Sequence, residues 1–481
     1  MGKTKLLATC IEVSLLVTLN ISNPLYSAEN KTFTGGVEKT YSEINTLIEQ
    51  GEYKAAQKLI DELLKIDPTD EKARAALGNI YSDLYKLEAA LKEFTTVLKT
   101  DPNNSDVHNS LGLVYLRKTT SSDMLVIKNI QKFYDEALKE FNEAIRLNPE
   151  NYKAYCNIGK IYQIAGKLDK AEEYYKKSLE IEPNYAEAVK DLGTVLFAKN
   201  QIPEAIDKYK KAISINKSSS SAYYHLGEAL VAQGKYSEAI KQLNTSLSLF
   251  PNSAPARHML GKAYELQGNE AAAINEYKKA TLIKPEYPAP YISIANIYQK
   301  RNDTELAISE LKTAVSLNEA FLEGKLRIAD LSLTLNKNDQ AIKYYKEVLN
   351  NPDYTSYAVK GLAKAYFNKA QQASAYANIV SSSEYLEAEN AIKQAIKQNP
   401  DDLQLYLALL QISRLTNNDK QSGVYLSKII NAPSNDAISD IVKGEAYLSY
   451  RNYKAAKDEF RKAVNRVNTV NDIAYIGEIL I

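Results

Sequence analysis

The sequence predicts an all-α solenoid of about twelve helix–turn–helix units, and three recurrences predict it. Alanine returns at a 34-residue interval, a large apolar or aromatic residue follows it by four positions, and in most units a small residue precedes it by twelve. A fixed period of this length, with one size class per position, is the mark of stacked repeats.

The N-terminal segment stands apart from that period. Lys3 and Lys5 precede an apolar run ending in Leu15–Leu19, and small residues follow near Ser27 and Ala28. A positive start, a short apolar core and a small-residue cleavage zone read as an export signal. Residues 1–28 are therefore expected to be a signal peptide and residues 29–36 a polar linker, which makes the protein periplasmic or secreted. An uncleaved segment that holds the chain at a membrane is the alternative. Against it, Glu12, Asn20, Asn23 and Pro24 interrupt the ~20 clean apolar residues that a span needs.

The chain carries 60 Lys and Arg against 59 Asp and Glu. A net charge of +1 supplies no global field for nucleic acid, and none is expected as a partner. Cys10 and Cys156 are the only cysteines, so a processed chain keeps one thiol and relies on packing without an internal disulfide.

Units begin at Val37, Glu71, Ser105, Tyr152, Ala186, Ser220, Ala254, Pro288, Leu322, Ser356, Leu403 and Ala437. Units 3 and 10 run 13 residues long, and with those two insertions twelve units fill residues 37–470. Both insertions fall between paired helices, near 117–133 and 367–384, where they are expected to lengthen helices or project from one rim.

Position 20 is Ala in eleven of the twelve units, from Ala56 to Ala456, with Ser422 the exception. Position 24 is always bulky, as in Phe94, Phe141, Tyr175, Tyr209 and Tyr277. Position 8 is Gly or Ala in most units, including Gly78, Gly159, Gly227 and Ala295. Positions 4, 7, 8 and 11 share one face of a first helix, and 20, 24 and 27 share one face of a second. Small residues at 8 and 20 let two backbones approach, while the bulky residue fills the space beside them. Gly166, Gly234, Asn200 and Asn302 at position 15 tolerate the left-handed turn that ends the first helix. Pro68, Pro102, Pro183 and Pro251 near position 32 stop the second.

This pattern resembles the tetratricopeptide-repeat family, with Tyr155, Tyr223, Tyr291 and Tyr406 where that family usually places Trp. The resemblance implies a right-handed superhelix whose first helices line a concave groove, and a role in holding other proteins.

Catalytic and metal chemistry lack a foothold in the sequence. No phosphate-cradling Gly-Lys-Ser/Thr loop, HExxH helix or paired CxxC occurs. His225, His258 and Cys156 fall near the groove, but adjacent repeats rarely bring ligands within bonding distance and no fourth ligand is evident. No enzyme activity, cofactor or metal is expected. The lysine pairs Lys176-Lys177, Lys210-Lys211 and Lys278-Lys279, with Arg461-Lys462, form a basic row on the second helices that reads as a solvated face.

The resemblance places positions 2, 5, 9 and 12 of the first helices in the groove. Across units 4 to 8 these include Lys160, Lys190, Phe197, Tyr224, Glu228, His258, Lys262 and Asn296. Mixed aromatics, charges and amides suit an extended peptide held by stacking and hydrogen bonds. The expected role is a scaffold or adaptor for a partner polypeptide, with envelope association. A non-catalytic subunit of an envelope enzyme complex, such as one exporting or modifying polysaccharide, is the rival reading. Residues 471–481 read as a capping helix: Ile473, Ile476 and Leu480 can cover the last unit, while Tyr475, Ile479 and Ile481 support self-association at that edge.

Overall fold

The computed structural model describes residues 37–120, 129–377, 382–398 and 400–466. Among these every regular element is an α-helix, and the chain divides into two compact units, one ending at Ile283 and one starting at Lys284. The first unit holds seven helix pairs: α1 (Val37–Glu49) with α2 (Tyr53–Ile66), α3 (Glu71–Asp83) with α4 (Leu87–Thr100), α5 (Ser105–Lys118) with α6 (Ile130–Leu147), α7 (Tyr152–Ile164) with α8 (Leu168–Ile181), α9 (Ala186–Ala198) with α10 (Ile202–Ile215), α11 (Ser220–Ala232) with α12 (Tyr236–Leu249), and α13 (Ala254–Leu266) with α14 (Glu270–Ile283). The second continues with α15 (Pro288–Lys300) and α16 (Thr304–Leu317), α17 (Leu322–Thr334) and α18 (Asn338–Val348), α19 (Pro352–Ala377) and α20 (Ser382–Gln398), α21 (Leu403–Leu415) and α22 (Asp419–Ile430), and α23 (Ala437–Ser449) and α24 (Tyr453–Asn465).

Local chemistry sets these boundaries. Five first helices start behind a capping side chain that accepts a bond from the backbone N–H three residues on: Asp70, Asn104, Asn151, Ser219 and Ser253. Most first helices end in a left-handed residue, although α5 closes on Thr119 at φ −67°. Gly166, at φ 70°, donates to Gln163 O at 3.0 Å, and Lys167 N–H reaches Tyr162 O at 2.9 Å. That pair of bonds satisfies the last carbonyls and turns the chain into α8. Asn200, Asn302, Asn336 and Asn417 do the same, and so do Tyr85 and Arg451, which no turn preference marks.

Within each unit, every first helix packs on its own second helix, and each pair packs on the next pair of that unit. The seam is dry: Ala56, Ala90, Ala137, Ala171, Ala205, Ala239 and Ala273 are buried, with Phe94, Phe141, Tyr175, Tyr209 and Tyr277 beside them.

One boundary differs from the sequence expectation. Helix α19 begins at Pro352 and not at Ser356, because proline suits the first turn, where its missing N–H has no partner to lose. The described parts of both insertions lengthen helices, α19 running 26 residues and α6 18, with turn residues at Thr119, Thr120 and Asn129. Residues 121–128 and 378–381 of those insertions lie outside the described residues, as do the expected signal peptide, the linker and the capping segment. Among the described residues no helix is long and apolar enough to cross a membrane.

Candidate partner-binding face

In the first compact unit the first helices α7, α9, α11 and α13 touch one another in succession. Seven of the eight residues expected in the groove lie on these helices, and Asn296 lies on α15 of the second unit.

Two of the expected lysines are engaged inside the chain. Lys160 on α7 donates to Glu187 Oε1 on α9 at 2.5 Å and sits 4.0 Å from Asp191 Oδ2. Lys190 pairs with Asp191 Oδ1 at 2.9 Å, and Tyr185 OH donates to Glu187 Oε2 at 2.7 Å. The Lys160 charge pulls the Glu187 carboxyl down to about 2. Burial works against the Lys160 and Lys190 charges, but Glu187 and Asp191 outweigh it and hold both ammonium groups above the usual lysine range. Beneath them burial pushes the Cys156 thiol up, leaving it protonated and inert. Any ligand carboxylate at Lys160 or Lys190 therefore competes with two internal partners.

An aromatic row follows on the next helices. Phe197 on α9 and Tyr224 on α11 are half-buried and rest on the shared core. Tyr224 meets His225 edge-on at 4.9 Å, and His225 stacks on Tyr209 at 5.6 Å with a 16° tilt. Glu228 Oε2 lies 3.2 Å from His225 Nδ1. On α13, His258 lies 5.3 Å from the Tyr277 ring. Burial, helped by Lys262, lowers its pKa to about 4, so the imidazole is neutral at ordinary pH. Lys262 itself is exposed. In the second unit, Asn296 Oδ1 accepts from Arg327 at 2.7 Å, and the same guanidinium donates to Gln299 at 2.9 Å.

Sequence reasoning missed Asp191, the stacking of His225 on Tyr209 and the hydroxyls of the bulky position-24 tyrosines. Those hydroxyls pass the seam and bond first-helix polar groups: Tyr175 to Gln163 at 2.7 Å, Tyr277 to Glu265 at 2.8 Å and Tyr345 to Asp330 at 2.6 Å. A polar residue at position 9 or 12 wherever position 24 is Tyr was the available signal. The basic row on the second helices is largely paired along its own helices, Lys176 with Glu172, Lys177 with Glu173 and Lys279 with Glu276. Among the described residues no group of three or more His, Cys, Asp or Glu is placed to hold a metal ion.

Family profiles described as tetratricopeptide or TPR repeats match residues 47–113, 130–166, 152–185, 193–234, 227–268, 254–287, 289–321 and 322–351, more than half of the chain. The chain belongs to the tetratricopeptide-repeat family. Repeats of this family are generally non-catalytic scaffolds for protein–protein contact, and this tetratricopeptide-repeat chain carries the scaffold fold. No curated protein sequence matches it. Among solved structures it is similar to Pseudomonas aeruginosa pilF, at 21% identity over 43% of this chain and 93% of that one, TM-score 0.38. YrrB, described as a TPR protein with an unusual peptide-binding site, is 24% identical over 41% of this chain and 97% of that one, TM-score 0.32. Yeast Tom70 is 16% identical over 88% and 96%, TM-score 0.36.

Proposed function

We propose that this protein is an exported scaffold that holds an extended segment of a partner polypeptide on the first-helix face of α7 to α13. The aromatic row of Phe197, Tyr224, His225 and His258, drawn from three successive first helices, carries the reading. Helices ~10 Å apart meet an extended chain about every three residues. Side chains spaced at that interval can each lay apolar or ring area on Phe197 and Tyr224. Lys160 and Lys190 are already paired with Glu187 and Asp191, so the face favours stacking and hydrogen bonding over recognition of an acidic ligand. Lys262 adds one exposed cation at the α13 end. The second-helix lysines Lys176, Lys177 and Lys279 are the weaker candidates because their own helices supply partners.

A photo-crosslinking residue at Phe197, compared with one at Lys210 in the full chain in its native host, tests this directly. Crosslinked partner peptide is expected from position 197 only. The pair Tyr224→Ala with Lys262→Ala should then weaken partner binding at least tenfold, while Lys210→Ala with Lys211→Ala leaves it within about twofold. The reverse pattern moves the site to the basic row. Export rests on Lys3, Lys5 and the Leu15–Leu19 run, and N-terminal sequencing of native protein that begins at Met1 or Gly2 overturns it.

A further inference from the structure

Helix α17 of the second compact unit carries a guanidinium without an acid. Arg327 is half-buried, and its Nη2 group donates to Asn296 Oδ1 at 2.7 Å and to Gln299 Oε1 at 2.9 Å. Both acceptors are neutral amides on α15. The acids of its own helix do not balance it. Asp330 accepts instead from Tyr345 OH at 2.6 Å and from Tyr357 OH at 3.0 Å. Glu323 is exposed and, among the described residues, forms no ion pair with it. Glu347 is taken by Lys325 at 2.8 Å. Burial therefore pushes the Arg327 pKa down, against a smaller opposing pull from Glu323. Lys160 and Lys190 of the first unit differ, since Glu187 and Asp191 pair with them.

The two amides are oriented as well. Each turns its oxygen to the guanidinium, so its NH2 group faces away. Among the described residues neither NH2 group bonds within the chain, and neither do Nε and Nη1 of Arg327. Guanidinium and amides together offer donors only, around one uncompensated positive charge.

We propose that Arg327, Asn296 and Gln299 form a second binding site, which holds the carboxylate of an Asp or Glu side chain of a partner polypeptide. An ionised carboxylate brings acceptors only, and its single charge equals the one left unspent at the site. A phosphate monoester, at about −1.5 to −2, would exceed it. The charge-assisted bonds offset the desolvation that Arg327 already bears in the free chain. The site lies outside the α7–α13 face and stands whether or not that face holds a partner.

The test selects phage-displayed peptides, fused through their C-termini and so without a free carboxyl terminus, on the full chain. Peptides that also bind the full-chain Arg327→Gln variant are removed. The surviving set is expected to be rich in Asp or Glu. One such peptide, synthesised with an amidated C-terminus, should lose at least about tenfold in affinity when its acid becomes the matching amide. On Arg327→Gln the same exchange should change affinity by less than about twofold. Asn296→Ala with Gln299→Ala keeps the charge and loses its orientation. As the second variant it should weaken the acidic peptide at least about threefold. Tyr224→Ala with Lys262→Ala should leave that peptide within about twofold, which separates this site from the first-unit face. A surviving set without acids, or an acid-to-amide exchange that costs the same on both chains, overturns the proposal. So does a phosphoserine peptide, or one whose only carboxylate is its C-terminus, that binds more tightly than the acidic one.

Discussion

Gly159 lies against the ring of Tyr175: a Cβ built on that glycine would stand 2.7 Å from the ring's Cε1 atom. The contact repeats at Gly193 with Tyr209 and at Gly261 with Tyr277, so one small residue per first helix makes room for one ring per second helix. Tyr175 has no exposed surface and cannot swing aside. Gly159→Ala is therefore expected to destabilise the first compact unit by roughly 1–3 kcal/mol through overpacking. Adding Tyr175→Leu should recover part of that loss, since Ala295 and Leu311 already coexist at the same two positions. Urea unfolding of the single and double variants measures both. A neutral Gly159→Ala would mean the seam yields more easily than its packing indicates.

Backbone conformation supplies a second prediction, separable from packing. Gly166 sits at φ 70° and a Cβ there would meet nothing within 4 Å. Gly166→Ala should still destabilise by about 1 kcal/mol, because the left-handed region disfavours any Cβ. Arg451, at φ 57°, already bears that strain. Arg451→Gly should stabilise the second unit by up to about 1 kcal/mol, less the entropy that glycine adds to the unfolded chain. Thermal unfolding of the two variants should shift in opposite directions.

Size classes at positions 8, 20 and 24 made the helix pairs legible, because backbone approach depends on residue volume alone. Asn200 and Asn302 revealed their turns by residue type, whereas Tyr85 and Arg451 are left-handed only because the register forces them. The candidate face was less legible. Position in the repeat located Lys160 and Lys190, but whether a lysine is available depends on a side chain 27 residues away, as in Lys160 with Glu187. Reach and rotamer decide such a pair, and neither is written in spacing.

His258 gives a pH prediction with a definite sign. Its folded pKa, about 4, lies below the ordinary histidine value near 6.5. The unfolded chain therefore binds a proton first, so the stability linked to the neutral ring is complete above about 6.5 and falls as pH drops toward 4. His258→Gln should flatten the stability profile across that interval. Proton NMR of the wild-type ring should show a titration midpoint near 4. A midpoint near 6.5 would mean the ring is more hydrated than its packing against Tyr277 indicates.

The ion pair of Lys160 and Glu187 acts in a lower window. The folded Glu187 pKa of about 2 lies below the ordinary carboxylate value near 4.3, so its contribution is present above about 4.3 and lost as pH falls toward 2. Glu187→Gln removes the charge at nearly constant shape. It should destabilise at pH 7, because Lys160 then keeps only Asp191 at 4.0 Å while facing the neighbouring charge of Lys190. The same variant should lose part of the decline that wild type shows between about pH 4.3 and 2. Lys160→Met combined with Glu187→Gln should be less damaging than Glu187→Gln alone, since it leaves no half-buried ammonium short of a partner. Denaturant unfolding at pH 7 and pH 3 across the three variants measures the coupling. If the double variant is no more stable than Glu187→Gln, Lys160 finds enough solvent without its partner, and the pair contributes as a surface contact only.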